Sequence, residues 1–260
     1  MPMKKQIEYL VNKAYMLYAQ LKPDQRLLIG IAGIPGSGKT TLAETLVEDL
    51  NRRAKHDLVE VPNEFPFYAS PAISIPMDGF HLPRQVLSAM PDPTEAHARR
   101  GAPFTFDVPM LISLIHKLRQ SIPPPGTEGD DEGDSSKTIL APSFDHAIKD
   151  PKDDDIAVLP SHRIVFIEGS YLALDKEVWR DGAALLDELW FVEVDFEVAR
   201  CRLRERHLQA GIVSSLSEGD KRALENDLVN GDEVLQYRLP VDEVIQSLDE
   251  GPWDLENCCT

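Results

Sequence analysis

The residues with the clearest chemistry are Gly33-Ile34-Pro35-Gly36-Ser37-Gly38-Lys39-Thr40, followed at once by Thr41. They fit G-x-x-x-x-G-K-[ST], a loop whose backbone N–H groups wrap phosphate oxygens. Glycine at 33, 36 and 38 permits close approaches and torsions that a Cβ would block. Lys39 is expected to reach the β- and γ-phosphates of a nucleotide, and the Thr40 hydroxyl to hold Mg²⁺. Two carboxylates sit further along, each after an apolar run and before a glycine: Asp78-Gly79 and Glu168-Gly169. Phosphoryl transfer to a hydroxyl needs a group that orients the alcohol and accepts its proton, and Asp78 has that chemistry; the competing reading is an Asp-Gly turn. Glu168 could hold a metal-bound water or position the attacking group, or could simply end a strand. His81, just after Asp78, is a substrate contact or a satisfied structural histidine.

These groups must be brought together by the elements around them. Leu27 to Ala32 is short and apolar, as a buried parallel strand should be, and Lys39 to Asn51 sets Leu42, Leu46, Val47 and Leu50 on one helical face. The helix dipole then points at the bound anion. Further strands are expected at Ala72 to Met77, Arg163 to Ile167, Leu189 to Val194 and Val241 to Ile245, with pairing of the second strand ending near Pro76. Helices are expected before and between them, from Ile7 to Leu21, from Val108 to Leu118, from Phe196 to Ala210 and from Ser217 to Leu228. Arg52 to Ser70 and Pro151 to Asp155 read as loops, Tyr171, Leu172 and Trp179 as packing, and Asp107 as a helix cap or a substrate contact. Alternating strands and helices predict an α/β fold with a doubly wound parallel sheet, which binds ligands at the carboxyl ends of its strands. Asp78 and Glu168 both fall there. Arg99 and Arg100 suit an anionic substrate or developing charge, or else form a solvated patch.

With 260 residues, 42% of them hydrophobic, the chain can form a single domain over 1–260 with a substantial core. Within it, 1–22 reads as an N-terminal helix and 196–228 as a helical region that could cover the site. Residues 122–137, rich in proline and then in acids, read as a disordered insert, dispensable for catalysis. A net charge of −17 disfavours nucleic acid as a partner and requires local basic residues wherever an anion binds. No stretch is long and apolar enough for a bilayer, and the first residues do not resemble a signal sequence, so no membrane partner and a cytoplasmic location are expected. The three cysteines, Cys201 and Cys258-Cys259, read as reduced thiols. A homodimer is left open.

Four blocks extend the picture: Asp78 to Pro83; Arg99-Arg100-Gly101-Ala102-Pro103 with Phe106-Asp107; Ala141-Pro142-Ser143-Phe144-Asp145-His146; and Ile167-Glu168-Gly169. Together with the phosphate loop they resemble the phosphoribulokinase and uridine kinase family from about Leu27 to about Ile245. Within it they look most like bacterial-type pantothenate kinases and their kinase-like or ATPase relatives. The resemblance implies a P-loop kinase that uses ATP and Mg²⁺ to phosphorylate a small hydroxyl compound such as a nucleoside, sugar or pantothenate-like molecule. It also implies that Asp145, His146 and Lys149 help form the acceptor pocket, and that an arginine of the helical lid covers the phosphates. Arg202 and Arg206 share a face and are the candidates; pairing of that helix's arginines with Glu197 and Glu205 is the structural alternative. Asn226-Asp227-Leu228-Val229-Asn230-Gly231 resembles a recurring segment of the pantothenate-kinase-like relatives, with no role assigned. A second class of reading, a nucleotide-dependent switch or assembly ATPase without an acceptor, would have no need of the acceptor-side blocks.

Overall fold

A computed structural model of the protein describes residues 1–60, 70–122, 138–145 and 147–248. At its centre is β1 (Leu27–Gly33), a strand buried along its whole length. Its neighbours are β2 (Ala72–Pro76), β5 (Ile164–Glu168), β6 (Glu188–Glu193) and β7 (Glu243–Gln246), in the order β2-β5-β1-β6-β7. Every pairing in this sheet is parallel. Side chains alternate across it, so an unbroken apolar run supplies two cores. Leu28 and Ala32 join Val165, Ile167 and Phe191 on one face, where α5 (Val108–Leu118) and α6 (Trp179–Ala183) pack. Leu27, Ile29 and Ile31 join Ile164, Phe166 and Trp190 on the other, under α1 (Met3–Ala19) and α2 (Lys39–Glu60).

The α/β class and the parallel sheet agree with the sequence reading, and several boundaries shift. Helix α2 continues past Asn51 to Glu60, so the start of the expected 52–70 connection is helical. Pro76 is the last residue of β2, which lies at the sheet edge where a missing N–H costs least; Met77–Phe80 then forms a 3₁₀ turn. Short helices α3 (Arg84–Ser88) and α4 (Pro93–Ala98) lead to α5, whose first turn is capped by the Asp107 carboxylate accepting from Met110 N–H at 2.9 Å.

The loop expected over 151–155 is instead part of a strand. β3 (Ile139–Asp145) and β4 (Asp150–Val158) form a separate antiparallel ribbon. Much of β4 faces solvent, so its acids need no apolar alternation and read as loop; Asp150 to Lys152 and Ile156 to Val158 pair with β3, and Asp153 to Asp155 fall at a break in the register between them. On the C-terminal side, α7 (Phe196–Gln209) is followed by α8 (Leu216–Arg222), a π-helical turn at Ala223–Asp227 and α9 (Leu228–Gln236). The helix expected to stop near Leu228 thus runs on to Gln236.

Helix α1 covers a sheet face and also reaches its edge. The Gln6 side chain donates to the Gln246 carbonyl at 3.0 Å and accepts from its N–H at 2.9 Å. Among the described residues no helix is long and apolar enough to cross a membrane. Cys201 is buried. The acidic run 123–136, His146 and Cys258-Cys259 lie outside the described residues.

The ribbon meets the sheet at Gly79, where a Cβ would stand 2.3 Å from the Pro142 carbonyl oxygen. Backbone cannot step aside cheaply, so Gly79→Ala is expected to cost about 1–3 kcal/mol, read as a lower denaturant midpoint at unchanged slope.

Candidate active site

The phosphate loop owes its shape to glycine and to the helix laid on it. Gly36 and Gly38 adopt φ of 79° and 89°, which L side chains avoid. A Cβ on Gly36 would lie 2.8 Å from the Ala199 carbonyl oxygen, so α7 rests directly on the loop. Arg202 of that helix donates to the Gly36 carbonyl at 3.2 Å and to Ser247 Oγ at 2.9 Å. Helix α2 starts beneath, with Leu42 N–H donating to the Gly38 carbonyl at 3.0 Å. Ser37 is fully buried, and its hydroxyl has no hydrogen-bond partner among the described residues. Lys39 Nζ donates to the Ile34 carbonyl at 3.3 Å. Burial pushes the Lys39 pKa down, Arg206 pushes the same way, and the negative charges of Glu168 and Asp78 oppose them.

Strand register delivers the carboxylates. Glu168 stands opposite Ile31 of β1 on one side and Pro76 of β2 on the other. It is only 6% exposed, and its Oε1 accepts from Thr40 Oγ1 at 3.0 Å. Burial raises its pKa to about 7, with Lys39 and the Thr40 hydrogen bond pulling down and Asp78 adding to the rise. Asp78, in the turn just beyond β2, keeps its carboxylate exposed. Its carbonyl accepts from His81 N–H at 3.2 Å and lies 2.9 Å from His81 Nδ1. The His81 ring sits 4.1 Å from Phe106 and 5.1 Å from Phe144, centroid to centroid, and burial lowers its pKa.

Beyond Asp78, Arg100 ties the ribbon to the sheet. It donates to Asp150 at 2.7 Å, to the Leu82 carbonyl at 3.1 Å and to the Lys149 carbonyl, with its guanidinium over Phe144. Arg99 turns the other way, donating to Asn226 Oδ1 at 3.2 Å and Asn230 Oδ1 at 2.8 Å. Asp145 accepts from the N–H groups of Ala147 and Ile148 at 2.8 and 3.2 Å, closing the ribbon's turn, in which Lys149 has φ 58°. A cavity of about 280 Å³ opens beside the loop between Ile34, Val192, Val194, Leu235 and Gln246.

No family model matches the chain. Individual proteins do. The ATP-dependent kinase-like protein notR′ of Aspergillus versicolor is 47% identical over 169 residues, 65% of this chain and 92% of the relative. A Schizosaccharomyces pombe protein provisionally named a uridine kinase is 37% identical over 239 residues, 92% of this chain and 89% of the relative. The chain belongs to the phosphoribulokinase/uridine kinase family of P-loop kinases. In structure it resembles YFH7 of Saccharomyces cerevisiae, described provisionally as a P-loop kinase with a circular permutation. The TM-score is 0.76 at 25% identity, over 92% of this chain and 98% of that one.

In this small-molecule kinase, Lys39, Thr40, Asp78 and Glu168 converge on one rim, with His81, Arg202 and Arg206 around them. Arg100 and Asp145 make structural hydrogen bonds at the ribbon. Of the α7 arginines, Arg202 is hydrogen-bonded to the loop while Arg206 adds its field to Lys39. Arg200 is held by Asp220 and Glu197, which realises part of the expected structural pairing. Asn226 and Asn230 escaped a role in the sequence because nothing local shows that they face Arg99. Among the described residues no group of His, Cys, Asp and Glu could hold a metal ion unaided.

The Glu168 pKa carries a pH signature in the nucleotide-free protein. Its folded value lies above the ordinary carboxylate value, so the folded state binds the extra proton between roughly pH 4.5 and 7 and loses stability as pH rises through that window. Glu168→Gln removes this dependence. Against pH, the wild type is expected to fall relative to the variant by up to about 3 kcal/mol between pH 4.5 and 7.5 in urea titrations; parallel curves would remove the charge cost assigned to Glu168.

Proposed function

We propose that this kinase transfers the γ-phosphoryl group of Mg·ATP to a hydroxyl of a small metabolite, with Asp78 as the acceptor's base. The observation that carries the reading is the meeting of Asp78 and Glu168, from neighbouring strands, beside Lys39 of the phosphate loop. The loop fits a triphosphate: its glycines leave room for main-chain donors, Lys39 offers a cation, and the unpartnered Ser37 hydroxyl is a further polar atom. Thr40 and Glu168, already joined through a hydrogen bond, are the groups that would hold Mg²⁺, directly or through its water. When bound, the ion supplies charge neutralisation between the β- and γ-phosphates.

The protein's own groups do the rest. Asp78 aligns the acceptor O–H and takes its proton as the new O–P bond forms and the bond to the departing ADP breaks. Lys39 draws the phosphates to the loop, and Arg206 and Arg202, carried by α7, offset charge on the transferred group. His81, Arg99 and Lys149 are the further groups assigned to the acceptor in this reading, and nucleosides, sugars and pantothenate-like compounds are the acceptor classes to compare. An acceptor-free switch would use the loop and Glu168 but has no use for the arm built by Gly79, Arg100 and the ribbon.

Two variants test this assignment. Lys39→Ala removes a charge and little buried apolar surface, so it should nearly abolish ATP-dependent turnover while the melting temperature holds; near wild-type turnover would exclude the loop assignment. Asp78→Asn should slow acceptor phosphorylation by roughly 10²–10⁴-fold with little change in ATP affinity by nucleotide titration. An equal loss of ATP affinity would instead put Asp78 in the metal site.

A further inference from the structure

The kinase's arginines differ in what neutralises them. Arg100 faces Asp150, Arg200 faces Asp220, and Arg238 faces Glu193, each pair within ion-pair distance. Arg99 does not follow this pattern. Among the described residues its partners are the amide oxygens of Asn226 and Asn230, at 3.2 and 2.8 Å, and both asparagines are buried, at 5% and 3% exposure. The Asn226 amide is oriented independently, because its Nδ2 donates to the Arg100 carbonyl at 3.3 Å; its oxygen therefore faces Arg99. The nearby acids are engaged elsewhere: Asp227 with His207 at 2.7 Å, and Glu233 with Lys176.

Amide dipoles fix a guanidinium without cancelling its charge. A partly buried cation left so is expensive unless an anion completes it, and a chain of net charge −17 does not lack carboxylates for the purpose. The position is also significant. Arg100, the next residue, donates to the Leu82 carbonyl at 3.1 Å, so the turn that carries Arg99 is fastened to the segment running on from Asp78. Tyr171 in turn donates to the Gly101 carbonyl at 2.6 Å, fixing the turn that follows Arg99 and Arg100. Asn226 belongs to the π-helical turn Ala223–Asp227, a local irregularity of the kind that re-aims side chains at functional sites.

We propose that Asn226 and Asn230 are positioning residues that present an uncompensated Arg99 to an anionic group of the acceptor, making the acceptor a hydroxyl compound that carries a carboxylate or a phosphate. This rests on the kinase reading and narrows it. The same helix packs Gly231 against Ile34, where a Cβ would approach to 3.1 Å, so the element that aims Arg99 also backs the phosphate loop.

Asn230→Asp separates aiming from packing. The carboxylate keeps the shape and accepts the same hydrogen bond, so a purely structural clasp is preserved or strengthened, whereas the charge offered to an anion is cancelled. Wild type and variant are assayed by ADP release with glycerate, pantothenate, glycerol 3-phosphate and ribose 5-phosphate as anionic acceptors, and with glycerol, uridine and fructose as neutral ones. The wild type should prefer an anionic acceptor at least tenfold in kcat/KM, the first two compounds reporting a carboxylate and the next two a phosphate. Asn230→Asp should raise the KM for that acceptor about tenfold or more, while the ATP KM moves less than twofold and the melting temperature does not fall. Arg99→Gln, which keeps the length without the charge, should give the same KM rise and stands in if the aspartate variant does not fold. A wild type that phosphorylates neutral compounds best would overturn the inference and leave the kinase reading intact, as would an unchanged acceptor KM in both variants. Absence of phosphorylation with every acceptor, with ATP still bound, would remove both.

Discussion

The parallel pairing of β5 between β1 and β2 is the constraint on which the site depends. It sets Glu168 opposite Ile31 and Pro76, two residues before the phosphate loop begins at Gly33 and two before Asp78. A slip of one residue in β5 would carry Glu168 to the opposite face and leave Thr40 without its acceptor. The apolar residues upstream prevent that slip. Val165 and Ile167 belong to one core and Ile164 and Phe166 to the other, so any shift would exchange two complete sets of buried side chains. Hydrophobic burial thus holds a buried carboxylate in a place that burial alone would disfavour.

The layers above the sheet come nearest the site where side chains are missing. Helix α7 touches the loop at Gly36, the ribbon touches the turn at Gly79, and α9 touches the loop through Gly231. Gly169 lets the chain pass Met77 at a separation no Cβ would allow. Helix α7 is therefore set against the phosphate loop, and the ribbon against the Met77–Phe80 turn, at backbone separations that a Cβ would block. The arginines reinforce this, Arg202 by bonding the loop carbonyl and Arg100 by bonding both Leu82 and the ribbon.

The parts legible in the sequence were those whose cause is local. An apolar run followed by Gly33 to Thr41 states a strand, a loop and a helix together, and Pro76 marks where an edge strand stops. The ribbon was illegible because Asp153, Asp154 and Asp155 fall at a break in its register, with Asp154 at φ 53°, so the local sequence reads as a loop while the pairing that makes the strand lies on either side of it. The length of α2 and the run from α8 into α9 were missed for a related reason: tertiary packing, not a cap or breaker in the sequence, decides where they end. Arg99 and Arg100 show the limit most clearly. They are neighbours of one type, yet one is neutralised by Asp150 and the other is held by amides across the fold.

That difference fits the electrostatic state of the whole site. Lys39 is pushed towards losing its proton by burial and by Arg206, and is held by Glu168 and Asp78; Glu168 is pushed towards gaining one by burial and by Asp78, and is held by Lys39. Each charge is thus maintained by the others. A phosphate against the loop would strengthen the hold of Lys39 on its proton while raising Glu168 further, whereas a divalent cation beside Thr40 would drive Glu168 to ionise. Nucleotide and cation would thus act in opposite senses on that carboxylate. Asp78 is exposed where Glu168 is buried, so the two carboxylates that meet at this rim stand in different surroundings.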